Sequence, residues 1–275
     1  MPQSPLTTIA ALTQRIPDGA LLAVPADYAG VAMTATRALL HRGIKDLHLV
    51  CLPVGGVQTD LLIGAGAIRT LETAAVTLGE FGAAPRFVEA VRQGAIRLKD
   101  ATCPAIHAAF QAAEKGIPFI PLRGILGSDL ITHRDDWKVI DNPFAADDPI
   151  VVLPAIRPDF VLFHALKADR FGNVWIGHHR ELMTLAHAAK ETLVTVEEIV
   201  DDNLLADEVV AAGVIPSLYV TALAEAEHGA WPLAMPGAYD IDEVALKAYV
   251  EAAQTETGFR RILHDWLRET EVAAA

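Results

Sequence analysis

Short apolar segments alternate with amphipathic ones along most of this chain, and that alternation narrows its fold more than any other feature. Ala20–Val24, Asp46–Leu52, Ile68–Thr77, Ile96–Leu98 and Ile117–Ile120 have the length and apolar content of strands. Helical patterns separate them: Val31–Arg42 before Gly43, Pro85–Gln93 before Gly94, and Pro104–Lys115 before Gly116. Proline at a helix start and glycine just past its end match the asymmetry of helix termini. The pattern predicts an α/β fold, an open and mostly parallel sheet flanked by helices. Such sheets bind ligands at the carboxyl ends of their strands, so the loops after strands are where function is sought.

The same logic extends to both ends. Ser4 and Pro5 read as N-cap and first residue of an opening helix that carries Leu6, Ile9 and Ala10. Val139-Ile140, Ile150–Leu153, Phe160–Leu166 and Thr192–Val196 read as strands, and Arg180–Ala189 as a helix. Two closing helices are expected to dock on the sheet. One starts at an Asp240/Glu243 capping box; the other carries Phe259, Ile262, Leu263, Trp266 and Leu267 on one face. The tail Glu271–Ala275 reads as frayed. With neither a repeat nor a low-complexity linker, residues 1–275 read as a single domain.

Composition excludes several functions. Lys plus Arg number 22 and Asp plus Glu 35, a formal charge of −13, which argues against a general nucleic-acid binder. No run approaches the about 18 apolar residues of a membrane span, and the N-terminus lacks the pattern of a signal peptide. Two cysteines, Cys51 and Cys103, make neither a disulfide framework nor a thiolate zinc site and fit a reducing, cytoplasmic setting.

The strand-end loops carry the chemistry. Gly55-Gly56 follows a strand and either offers backbone N–H groups to an anion or serves as a turn. Gly64-Ala65-Gly66 is no dinucleotide fingerprint, because Arg69 stands at the third glycine position. Gly79-Glu80-Phe81-Gly82 holds a carboxylate between two glycines; Glu80 is placed for general-base or nucleophilic work, or else caps the next helix or faces water. In Arg123-Gly124-Ile125-Leu126-Gly127-Ser128, Arg123 either grips a carboxylate or phosphate or pairs with an acid of the fold. Cys103 stands at a helix start, as a reactive thiol or as an inert one. His178, His179 and His187 lie near one another but form no metal-ligand pattern, and no metal is expected. A nucleophile elbow and a Walker A sequence are both absent.

Five runs together resemble the α subunit of family I CoA-transferases, nearest the glutaconate branch: Asp60–Gly66, Gly79–Pro85, Gly116–Leu130, His164–Val174 and His228–Pro232. The resemblance spans Ile16 to Leu267. It implies the CoA-transferase (NagB/RpiA-like) fold and a β-subunit partner, usually in an α2β2 heterotetramer. It also implies a site between the subunits and an acyl-CoA thioester as substrate, with no bound cofactor. In such enzymes a glutamate attacks the thioester and becomes a glutamyl-CoA thioester before a second acid accepts CoA. That nucleophile belongs to the β subunit. This chain is thus expected to supply Glu80, a wall of the site, and contacts from Gly55, Gly56, Gly79, Gly82, Cys103, Arg123, Gly124, Gly127 and Ser128. A family relative, a steroid-degradation hydrolase that opens a ring of a CoA thioester, resembles the chain near Arg123. It has an α-subunit glutamate where Cys103 stands here, which makes hydrolysis the second reading. A third is a sugar-phosphate-sensing module of similar fold, against which stands the lack of a basic DNA-binding segment. Because CoA is itself anionic, the charge of −13 implies a locally basic patch here or on the partner.

Overall fold

The structure, a computed structural model, describes residues 5–273, with side chains through residue 268. Twelve strands are described: β1 Leu21–Pro25, β2 Leu47–Leu52, β3 Ile68–Thr73, β4 Arg97–Asp100, β5 Phe119–Leu122, β6 Lys138–Asp141, β7 Pro149–Pro154, β8 Phe160–Asp169, β9 Val174–Trp175, β10 Glu191–Val200, β11 Val214–Ile215 and β12 Ala222–Glu225. The helices are α1 Ile9–Gln14, α2 Met33–His41, α3 Val57–Gly64, α4 Pro85–Gln93, α5 Cys103–Glu114, α6 Leu130–His133, α7 Arg180–Ala188, α8 Glu208–Ala211, α9 Glu243–Ala252 and α10 Glu256–Ala273.

Seven strands run parallel in the order β12-β10-β8-β1-β2-β3-β4, and the short β9 and β11 extend the sheet antiparallel beside the end of β8. Successive residues of β1 point to opposite faces, Leu22 and Val24 to one core and Ala23 to the other. One face packs α1 to α4; the other packs α5, α7 and a small antiparallel sheet ordered β5-β7-β6. Burial on both faces explains why the strands read as near-continuous apolar runs.

β1 is where the chain reverses direction across the sheet: β2 to β4 build outward on one side, β8, β10 and β12 on the other. β1 and β8 pair only at Leu22↔Phe160 and Ala23↔Val161. They then part, and the loop after β1 enters the gap, with Gly30 O accepting from His164 N–H at 2.8 Å. Gly30 has φ +87, and a Cβ there would lie 2.1 Å from His164 O, so only glycine fits.

Several local expectations are corrected. Pro5-Leu6 is no helix start: Leu6 bridges Leu223, and α1 begins at Ile9, where Thr8 Oγ1 accepts from Ala11 N–H at 3.2 Å. Ser4 lies outside the described residues. The cap of α9 is Asp242, whose Oδ1 accepts from Ala245 N–H at 2.9 Å, rather than Asp240. α9 and α10 do not dock on the sheet. Tyr249, Phe259 and Trp266 pack on Met33 and Leu61, making a further layer over α2 and α3. α10 runs to Ala273; of the tail read as frayed, Ala274 and Ala275 lie outside the described residues.

Candidate active site at the strand ends

Three strand-end loops meet at the switch point. Asp27, in the loop after β1, accepts the Val57 N–H on Oδ2 at 2.9 Å, at the start of α3. A Cβ on Gly56 would lie 2.0 Å from that oxygen, so the glycine is required by close approach. The other Asp27 oxygen is buried without a partner, and burial pushes the carboxyl up to about 6, against a smaller opposing pull from the Val57 N–H. Gly55 joins the loops after β2 and β3: its N–H donates to Ala75 O at 2.9 Å and its O accepts from Thr77 at 3.0 Å. The Gly55 N–H is therefore committed to the fold.

Gly79 and Gly82 have φ +62 and +100 and bracket a short 3-10 turn that presents Glu80 exposed. Gly82 N–H donates to Gly79 O at 3.1 Å. Ala84 precedes α4 with no side-chain cap, so Glu80 does not cap that helix.

Cys103 is the exposed first residue of α5, behind the N-cap Thr102, whose Oγ1 accepts from Ala105 N–H at 3.3 Å. His107 follows one turn later on the same face. α7 packs against α5 and brings Glu181, whose Oε1 lies 3.1 Å from His179 Nδ1. Tyr28, 61% exposed, reaches the same group from the loop after β1. Burial raises the Tyr28 phenol, and the charges of Glu181 and Cys103 add to it. Burial lowers His107, against the opposing charge of Glu181, which favours a neutral imidazole able to take a proton. Beside this cluster lies a cavity of about 60 Å³, lined by Gly30, Leu166, Trp175, Ile176, Leu182 and Met235 among others.

Arg123 stands apart. Its guanidinium forks onto Asp148, Nε to Oδ1 at 2.9 Å and the second bond from NH2 to Oδ2, on an exposed flap after β5. Among the described residues no hydrogen bond or ion pair joins it to Glu80 or Cys103. The loop behind it closes on itself: Ser128 Oγ donates to Ile125 O at 2.7 Å, and Gly127 has φ +79. Gly124 has open space around it.

Two motif runs that carry the resemblance build the scaffold. Asp169, fully buried, accepts from the N–H groups of Phe171, Asn173 and Leu204 and from the Asn173 amide, closing the turn between β8 and β9. Glu197 holds the His228–Pro232 run to the sheet. It accepts from His228 N–H at 2.7 Å, Gly229 N–H at 3.0 Å and Tyr239 OH at 2.6 Å, and lies 2.6 Å from His164 Nε2. Burial raises Glu197, but these bonds outweigh it and hold the carboxyl below its ordinary range.

Asp27, Tyr28, His107 and Glu181 belong to no recognisable motif. The strand-end rule applied to the loop after β1 marks the first two; His107 and Glu181 gather only through the packing of α5 on α7. Among the described residues no group of three or more His, Cys, Asp or Glu side chains is placed to hold a metal ion.

A mostly parallel sheet flanked by helices, with a thiol, an imidazole, a phenol and a carboxylate gathered at its switch point, is the architecture of an α/β enzyme. Residues 6–226 match the Coenzyme A transferase family, and the chain belongs to that family as an A-type subunit. It is 32% identical to the A-type subunit of 3-oxoadipate CoA-transferase from Pseudomonas knackmussii, over 96% of this chain and 94% of that one. It superposes on glutaconate CoA-transferase from Acidaminococcus fermentans with a TM-score of 0.88 at 27% identity, covering 97% of this chain and 89% of that one. It is also 28% identical to the cholesterol ring-cleaving hydrolase IpdA subunit of Mycobacterium tuberculosis, over 87% and 84% of the two chains.

Proposed function

We propose that this chain moves CoA between an acyl-CoA thioester and a small carboxylic acid together with a β subunit that completes the site, as an α2β2 assembly in the cytoplasm. One observation carries the reading: among the described residues each carboxylate of the crevice is buried, engaged or unoriented. Asp27 is pressed on Gly56, Glu181 is bonded to His179, and Glu80 sits on an exposed turn without a partner base. The nucleophilic glutamate then comes from the partner. Its carboxylate attacks the thioester carbonyl and expels the CoA thiolate, leaving an acyl–glutamyl anhydride. The thiolate attacks the glutamyl carbonyl, releasing the first acid as a carboxylate and leaving glutamyl-CoA. The acceptor carboxylate runs the same steps in reverse.

In this scheme Tyr28, Cys103 and His107 wall the acyl end. Glu80 stands at the mouth as the acid–base group of this chain. Gly55, Gly56, Gly79 and Gly82 shape the loops against the thioester, and Arg123, Gly124, Gly127 and Ser128 form a flap over the bound CoA. Coexpression with the β subunit tests it. CoA exchange that needs an acceptor acid and shows ping-pong kinetics is expected, whereas water consumption with no acceptor acid supports a hydrolase.

A further inference from the structure

We infer that this chain carries a further ligand site, a cavity at the start of β1 that takes a small monocarboxylate with a hydrocarbon body about one ring in size. The site does not depend on the transferase reading. The cavity encloses about 270 Å³ between the sheet, α5 and the segment after β7. An apolar cavity of about 150 Å³ already admits benzene, so one ring bearing a carboxylate fits here. The space exists because four of its walls are alanine: Ala101, Ala105, Ala109 and Ala155, with Ile106 and Leu153 completing the hydrocarbon surface. Cys103 and His107 stand two residues, about 200° of helical turn, from Ala105 and Ala109. Neither lines the cavity, so this is not the cluster gathered beside α7.

The charged lining selects the sign of the ligand. Lys99 donates to Asp136 at 2.7 Å, and Arg134 donates to Glu72 at 2.6 Å and Asp136 at 2.9 Å, so these four groups neutralise one another. Arg157 is left over and gives the lining one positive charge in excess, which a monoanion balances. Arg157 is exposed, donates to Ile117 O at 3.4 Å, and makes no ion pair among the described residues. His48 also lines the cavity; its Nε2 is buried with no hydrogen-bond partner, 3.4 Å from Glu72 Oε2. Leu21 stands between the two. It pairs with His48 across β1 and β2, and its O accepts the N–H of Asp159, two residues past Arg157, at 2.9 Å. A carboxylate at this end meets an unpaired guanidinium and a ring nitrogen lacking a hydrogen bond, while its hydrocarbon body lies against the alanines. Flanking acids do not oppose it. Asp159 accepts from Lys190 at 2.7 Å and from Leu21 N–H at 3.0 Å, and Asp135 pairs with Arg97 at 3.1 Å. Asp46, exposed before β2, does not line the cavity.

The test is calorimetric titration of the full chain with benzoate and with benzamide, its neutral counterpart of the same shape. Benzoate should bind once per chain, about tenfold or more tighter than benzamide. Arg157→Ala, a change at the surface, should weaken benzoate about tenfold and leave benzamide within about twofold. Ala109→Leu, which fills the cavity, should abolish binding of both; Arg157→Ala keeps the test decisive where Ala109→Leu disturbs α5. Benzoate binding that either folded variant leaves unchanged puts the ligand elsewhere and overturns the inference. Equal affinity for the two probes, or no benzoate bound by the folded chain at about 10 mM, overturns it as well.

Discussion

At the scale of single residues, Asp27 is the costliest side chain of the site. Its carboxyl rises from the ordinary 3.8 to about 6 in the folded chain. The folded state therefore binds the extra proton between those values, so its contribution to stability is present below pH 3.8 and is lost as pH rises through about 6. The loss is on the order of 3 kcal/mol. Asp27→Asn removes that part of the slope: urea unfolding of the two proteins from pH 3.5 to 7.5 should diverge through this window and run parallel above it. Gly56→Ala should destabilise by about 1–3 kcal/mol or more, because its Cβ overlaps the Asp27 carboxylate. Asp27→Ala in the same chain should recover part of the loss, which a double-mutant cycle in urea measures. Gly56 was legible in the sequence as a strand-end glycine. Its reason was not, since the approaching carboxylate comes from 29 positions earlier in the chain (56 − 27). Arg123 was legible only as two alternatives, and the acid that engages it, Asp148, lies across the flap where no local pattern connects them.

At the scale of elements, a buried ionic cluster ties the segment around Arg134 to the sheet. Arg134 donates to Glu72 on β3 at 2.6 Å, to Asp136 at 2.9 Å and to Asp100 O at 3.0 Å, and it stacks over Trp137 at 4.1 Å. Burial raises Glu72, but His48, 3.4 Å away, and the charges of Arg134 and Lys99 outweigh it and keep the carboxyl below its ordinary range. Its stabilising contribution is thus full above the unfolded-state pKa and is lost as pH falls through the lower, folded one. Arg134→Ala leaves Glu72 buried and without its closest cation, at a cost of about 3–5 kcal/mol in denaturant titration. Strands and amphipathic helices were legible because their periods survive in the sequence; α4, with Pro85 inside its start and Gly94 after its end, stands as read. α3 was not. Val57 to Ile63 are all buried, so no polar face marks the 3.6-residue period, and Asp60 in its middle interrupts the apolar run. That carboxylate in fact joins three helices, accepting from Phe87 N–H at 2.7 Å and Tyr249 OH at 2.8 Å.

At the scale of the molecule, the fold gathers its strand-end loops at one switch point. Both cores are closed, and no helix among the described residues is long and apolar enough to cross a membrane. The family was legible because its runs are scaffold: Asp169 and Glu197 each collect several hydrogen bonds, which fixes sequence over a long stretch. The site was less so, because Tyr28, Cys103, His107 and Glu181 come from three separate elements and need only the right chemistry at the right end of each. The charge of −13 sets CoA a further condition. Arg123 and Arg134 are engaged by acids, so binding of the CoA phosphates should weaken more steeply with salt when the partner is present. On the function proposed above, this chain is one half of a CoA-transferase. The most direct measurement is CoA exchange between butyryl-CoA and acetate by this chain in isolation, by the isolated β subunit, and by the two together. Exchange in the mixture only is the predicted result; full turnover by this chain in isolation would contradict it.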